Sequence, residues 1–302
     1  LFGSAGLPED RAAAAAWGAA SQAYLISIPD NFVGDQPVYL TLRGDHLEAS
    51  ALHLVISAGK FAEATVVIDH VGKAVLGENV EIILADEAKV KVVSVQDWSR
   101  DSVHVSAQYS KLGRNASLEH VVVTLGGDLV RITPTVDFAA PGASVDLQGA
   151  YFATAGQHLE HRPFVDHSQP NCKSNVTYKG ALQGNKAHTI WVGDVLIRKA
   201  AEGTDTYELN RNLILTDGAR ADSVPNLEIE TGEIEGAGHA SASGRFDDEQ
   251  LFYLQARGIP ELEARRLVVR GFLNEVIQRI GVEDLEARLT ASIEDELARS
   301  IA

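Results

Sequence analysis

Methionine is absent from the 302-residue chain, and cysteine occurs once, as Cys172. A lone thiol excludes an internal disulfide framework and fits a reducing compartment. Because even position 1 is not methionine, Leu1 is not expected to be the native start. An N-terminal piece, and a polar loop near Asn185 and Lys186, are expected to be missing from the sequence. No apolar run approaches the roughly 18 residues that a membrane-spanning helix requires, and no signal-like segment is present, so a soluble cytoplasmic protein is expected. Basic residues are scarce: 26 Lys and Arg face 42 Asp and Glu, for a net charge of -16. Nucleic-acid backbones and anionic bilayers select clustered Lys and Arg, so neither is an expected partner.

Nucleotide loops are missing as well. Gly72-Lys73 and Gly184-Asn185-Lys186 lack the glycine spacing of a phosphate-cradling loop, and Ser241 stands where a dinucleotide loop beginning at Gly236 and Gly238 needs its third glycine. Neither G-x-S-x-G nor H-E-x-x-H occurs, and the carboxylates show no spacing that marks an acid/base pair. The chain is not expected to hydrolyse ATP, so any nucleotide chemistry would come from a partner.

What is present is a long β-patterned body. Val38–Leu42, Leu52–Ile56, Ala64–Ile68, Val80–Leu84, Val90–Val95, Leu118–Leu125 and Leu129–Ile132 are short β-branched runs cut by Gly, Asp and Asn turns, with no helix between them. Turn-to-strand entries recur at Ala88, Ala116 and Ala143, spaced 28 and 27 residues apart, with a similar entry at Ala219. Short strands at a quasi-period without crossover helices suit a β-solenoid, with a plain β-sandwich as the competing fold. Ahead of this body, Arg11–Trp17 reads as a short helix, the remnant of a helical region.

The body ends at Gly236-Ala-Gly-His239-Ala-Ser-Ala-Ser-Gly244. Small residues there cannot pack a core, and strand alternation puts His239, Ser241 and Ser243 on one side. Asp247 with Gln250 reads as a capping box opening a helix that Gly258 stops. Pro260 suits the start of a second helix with an apolar face of Val268, Phe272, Leu273, Val276, Ile277 and Ile280, ended by Gly281. Leu285, Leu289, Ile293, Leu297 and Ile301 then form a narrow stripe, either packed on the β-body or offered to a partner. The expected domains are a helical remnant over 1–30, a β-body over 31–244 and a helical region over 245–302.

Three side-chain groups invite chemistry. His239 is an imidazole without bulky cover, suited to iron or another transition metal shared with a second chain. His158, His161 and His167 look like ligands, but in a continuous strand His158 and His161 point to opposite faces, so hydrogen-bonded strand histidines are the default. Cys172 is either a thiolate activated by Lys173 or a small buried apolar residue.

The junction from His239 through Arg245-Phe246-Asp247-Asp248-Glu249-Gln250-Leu251-Phe252-Tyr253-Leu254 to Arg257-Gly258 resembles the SufB/SufD family of iron–sulfur cluster assembly proteins. Tyr178-Lys179-Gly180, Thr204–Asp217 and Pro225–Ile229 are similar to SufD-type sequence, so the likeness covers the last half of the chain; the first half shares only its β-rich texture. SufB-type chains carry a sulfur-receiving cysteine upstream of the histidine and a glutamate directly after it. Here residues 216–235 contain no cysteine and Ala240 follows His239, which favours a SufD-type chain, although His239-Ala-Ser-Ala242 departs from the H-G-A-T of many SufD chains.

The resemblance implies a right-handed parallel β-helix with a helical C-terminal domain. It further implies a non-catalytic scaffold role with a SufB-type paralogue and the ABC-type ATPase SufC, and a homodimer when the chain is alone. His239 would lie at the paired interface, toward iron or a nascent cluster shared with SufB, with no stably bound cofactor of its own. The C-terminal helices would contact SufC, for which Leu285, Leu289, Ile293 and Leu297 are the candidate surface. The alternatives are a carbohydrate-active β-solenoid enzyme and a SufB-type scaffold using its own cysteine.

Overall fold

The computed structural model describes residues 1–246 and 248–299. In chain order the elements are helix α1 (Arg11–Ala19), strands β1 (Ala23–Ile28), β2 (Val38–Ala58), β3 (Glu63–Leu84), β4 (Lys89–Trp98), β5 (Val103–Leu112), β6 (Ser117–Thr124), β7 (Leu129–Phe138) and β8 (Ser144–Ala153). They continue with β9 (His158–His161), β10 (Phe164–His167), β11 (Lys173–Leu182), β12 (His188–Ile197), β13 (Asp205–Ile214), β14 (Arg220–Ile229) and β15 (Gly236–Arg245), then helices α2 (Asp248–Gln255), α3 (Glu261–Ile277) and α4 (Glu283–Arg299).

Every strand pairing is parallel, and the strands form two stacks. One stack runs β2-β3-β4-β6-β8-β11-β13-β15 and the other β1-β2-β3-β5-β7-β9/β10-β12-β14. The two earliest full coils turn between stacks without leaving the strand: β2 and β3 serve both, and they bend together where Gly44 pairs with Gly72. Gly72 has φ +85°, and a Cβ on it would lie 2.1 Å from the Gly44 carbonyl oxygen, so this corner admits only glycine. The result is a two-faced β-solenoid of about 8 turns, as the quasi-period predicts; the β-sandwich is excluded.

A repeated corner explains the period. Phe61, Glu87, Asn115, Gly142, Asn171 and Gly203 all take positive φ. Each is followed by a small, fully buried residue: Ala62, Ala88, Ala116, Ala143, Cys172 and Thr204. The carbonyl of each small residue accepts the N–H that opens the strand of the next coil, from Lys89 to Ala62 (2.8 Å) through Lys173 to Ala143 (3.0 Å). Only a small side chain fits inside this bend. Cys172 is therefore a member of the alanine column.

The inner faces of both stacks form the main core, including Val66, Val92, Ile132, Leu147, Tyr151, Tyr178 and Trp191. The outer face of the β3-to-β11 stack is covered too. Val67, Val93, Val95, Val121, Val123, Ala150, Phe152 and Ala181 pack there against Leu273, Val276 and Ile277 of α3, and Leu285, Leu289, Ile293 and Leu297 of α4. Strands buried on both faces read as continuous apolar runs, which is why Val90–Val95 and Val121–Val123 do not alternate. Polar links fix the cover: Lys91 Nζ donates to the Arg279 carbonyl at the end of α3 (2.7 Å), and Arg288 pairs with Asp69 (2.6 Å). Lys179 reaches Glu275 and Arg100 reaches Glu296.

The helix expected near the N-terminus is α1, capped by Asp10, whose Oδ1 accepts from the amides of Ala12 and Ala13 at 2.8 Å each. Gly258 (φ +83°) and Gly281 (φ +70°) end α2 and α3 as expected, while Pro260 is the N-cap of α3. The capping role of Asp247, and Ile301 of the terminal stripe, lie outside the described residues.

Candidate functional site

Parallel in-register pairing sends paired side chains to the same side of the sheet, so interior positions stack in columns. One column runs His70, Gln96, Thr124, Tyr151, Gly180, Asn212, Ser243; the next but one on the same face runs Val66, Val92, His120, Leu147, Val176, Glu208, His239. His239, Ser241 and Ser243 thus face inward, but on the last rung. Among the described residues β15 pairs only with β13, and β14 pairs only with β12. Without another coil above them, His239 and both serines are exposed. The side His239 shares with the serines follows the sequence alternation.

Beneath this open end lies a hydrogen-bonded polar layer. Ser241 Oγ donates to Ser223 Oγ (2.7 Å), and Ser223 Oγ to Asn210 Oδ1 (2.7 Å). Asn212 Nδ2 donates to Asn210 Oδ1 (2.7 Å) and to Ser243 Oγ (3.2 Å), and Tyr151 OH donates to Asn212 Oδ1 (2.7 Å). Glu208 stands apart. It is 1% exposed, and neither carboxylate oxygen has a hydrogen-bond partner. Burial, followed by repulsion from Asp194, pushes its pKa up to about 8. Sequence reasoning missed Glu208, because Thr206, Asn210 and Asn212 are also polar and nothing marks that set as inward. The signal lay in the coil length: His239 is 31 residues beyond Glu208, one late coil.

The three histidines of the middle region are not brought together as a metal site. His158 is half-buried on the outer face, with its Nε2 3.3 Å from Glu160. His161 is fully buried inside, bonded to Thr124 Oγ1 (2.9 Å) and stacked on Tyr151 at 4.7 Å. His167 is inside at the far end of the broken strand, 2.8 Å from Ser174 Oγ. Burial lowers the pKa of His161 to about 3 and that of His167 to about 4. Cys172 is fully buried, and burial raises its thiol pKa, the opposite of an activated thiolate.

Among the described residues one group does gather ligand-type atoms: His70, Glu78 and His104, all fully buried, with those atoms within 4.8 Å of one another. Hydrogen bonding fixes its protons. His70 Nδ1 faces the Val95 carbonyl (2.7 Å) and Nε2 faces Glu78 Oε1 (3.0 Å), so both nitrogens donate and the ring is an imidazolium. Trp98 Nε1 donates to His104 Nδ1 (3.2 Å), so the proton of His104 sits on Nε2, toward Glu78 Oε2 (3.2 Å). Ser106 Oγ adds a bond to the same oxygen at 2.6 Å.

Burial opposes charge on His70, but Glu78 and the Val95 carbonyl outweigh it and raise its pKa. Burial likewise opposes charge on Glu78, yet the two rings hold it well below the carboxylate range; for His104 burial wins and the pKa falls. A metal held at both Nε2 atoms would need a proton on His104 Nδ1, where the Trp98 N–H already points. The trio is a closed ion pair.

The four residues of the C-terminal stripe, Leu285, Leu289, Ile293 and Leu297, are 3%, 0%, 3% and 1% exposed. They are core between α4 and the solenoid, which corrects their reading as a partner surface. The apolar groups that remain outside on the helices are Phe252 (72%) and Tyr253 (56%) of α2, with Leu262 and Leu267 of α3.

These elements define a class: a parallel β-solenoid with helices over one outer face and an imidazole on an uncapped last rung. The family model described as "SUF system FeS cluster assembly, SufBD core domain" matches residues 40–272. An iron-sulfur cluster assembly SufBD family protein of Mycobacterium bovis is 55% identical over 303 residues, covering 98% of this chain and 76% of its own. One of Mycobacterium leprae is 53% identical with 98% and 77% covered. A second SufBD family protein of M. bovis is 27% identical over 204 residues, covering 68% of this chain and 24% of its own. The chain belongs to the SufBD family of iron–sulfur cluster assembly proteins, and a carbohydrate-active enzyme is not favoured. No helix among the described residues is long and apolar enough to cross a membrane.

Proposed function

We propose that this chain is the SufD-type subunit of a cytoplasmic SUF scaffold. In this reading its open end pairs with a SufB-type paralogue, or with a second copy when alone, and cluster iron is the cargo met by His239. The observation that carries the reading is the last rung. An inward-facing imidazole with small neighbours stands on β15, and the outer edges of β15 and β14 have no strand partner among the described residues; such edges offer backbone groups to another chain. The second, more distant family member in M. bovis supports a paired arrangement. The chain is a non-catalytic member of this assembly, with ATP hydrolysis supplied by an ABC-type ATPase of the SufC kind. The exposed face of α2, with Phe252 and Tyr253, is the surface proposed for it.

The test is reconstitution of the three-protein complex with His239→Ala. The side chain fills no core, so folding and pairing should persist while cluster yield, read by absorbance and iron content, falls strongly. Wild-type yield would remove His239 from the role. A parallel fall in yield and thermal stability would make the residue structural.

A further inference from the structure

Glu208 has neither of the usual reasons for a buried carboxylate. It makes no hydrogen bond, and the one charged neighbour shifting it is Asp194, of its own sign. Native proteins leave few buried polar atoms without partners, and each such atom calls for an explanation. The nearby Asn210, Ser223 and Ser241 groups bond to one another and leave Glu208 aside. Gly193 of β12 lies opposite: the Trp191 ring fills most of the space its missing side chain leaves, and a Cβ there would also stand 3.0 Å from Glu208 Oε2, which places the carboxyl at the edge of that ring. Glu208 pairs in register with His239, so the two side chains leave the sheet in the same direction from backbones about 4.8 Å apart. Carboxylate oxygen and imidazole nitrogen are a common ligand pair for first-row divalent metals.

We propose that Glu208 and His239 form a two-ligand cation site at the open end, which takes ferrous iron. The carboxylate comes from the penultimate rung and the imidazole from the last, and the remaining coordination positions face the paired subunit. This rests on the reading that His239 meets the cargo. It adds a ligand from inside the solenoid, which makes the iron site a property of this chain before any partner arrives.

The test is an anaerobic calorimetric titration of the full chain with Fe²⁺, comparing wild type with Glu208→Gln and the apolar isostere Glu208→Met. Both variants should fold, with a melting temperature equal to or above wild type, because each removes an acid that nothing in the fold satisfies. Both should bind Fe²⁺ more weakly by about tenfold or more. Equal affinity in wild type and variants, or no binding by wild type, overturns the site. Loss of folding in both variants also overturns it by making Glu208 structural.

Cluster yield in the reconstituted complex separates this inference from the reading beneath it. If His239→Ala lowers yield and Glu208→Gln does not, the scaffold role of His239 stands and the second ligand falls. If neither changes yield, both fall.

Discussion

His120, His161 and His167 are held neutral inside the solenoid, and that sets how the protein responds to acid. Burial lowers them to about 4, 3 and 4, against roughly 6.5 in an unfolded chain. Below pH 6.5 the unfolded chain takes up protons that the folded chain refuses, so stability is full above that pH and declines as pH drops toward 4. Each histidine withdraws on the order of 3 kcal/mol by the lower limit. Neither ring nitrogen of His120 has a partner, so His120→Leu loses no hydrogen bond. Urea unfolding at pH 5 should show this variant more stable than wild type, with the difference shrinking by pH 8.

The ion pair of His70 and Glu78 runs by its own signs. The raised His70 contributes below about 6.5 and loses its share as pH rises through its folded value, while the depressed Glu78 loses its share only in strong acid.

At the scale of elements, two adjacent coils interlock through glycine. Tyr178 pairs with Gly149 and Tyr151 with Gly180, so each ring lies over the other strand's missing side chain. A Cβ on Gly180 would come within 1.9 Å of the Tyr151 ring, and one on Gly149 within 2.1 Å of Tyr178. Gly180→Ala should therefore cost about 1–3 kcal/mol in denaturant unfolding, and Tyr151→Ala in the same chain should recover part of it. Additive losses would refute the interlock.

The strands, the corner alanines and the shared side of His239, Ser241 and Ser243 were legible, because period-two patterning and small corner residues are local signals. The pairing was not. Coils lengthen toward the C-terminus, as the step from Ala116 to Ala143 and that from Glu208 to His239 show, and β13 turns the polar Thr206, Glu208, Asn210 and Asn212 inward while Tyr207, Leu209 and Leu213 face out, so register and the inward set had to come from three dimensions. The ion pair escaped because Glu78 follows His70 across a corner inside one strand, with no ligand-like spacing to mark it.

For the whole molecule, the helices over the β3-to-β11 stack are part of the fold. Ending the chain after Gly281 removes Leu285, Leu289, Ile293 and Leu297 from the cluster they form with the valine-rich outer face. The truncated protein should melt lower and aggregate, as sizing and thermal scans would show; an unchanged melting temperature would mean that α4 only rests on the sheet. The stripe that the sequence offered equally to core and partner is thereby assigned to core. Periodicity marks an apolar face but does not name what covers it.

The corner column also makes the solenoid a ruler. Every coil that repeats the left-handed residue and the small buried residue advances the stack by one rung of about 4.8 Å. Adding or removing a whole coil between β11 and β13 would move the His239 end along the axis in steps of that size, and α2 and α3, which pack on Leu213 and Leu215, would have to remake that contact. The reach from the helical side of the molecule to its open end is thus set by a count of repeats, so two chains of this architecture can match one another in length by matching that count.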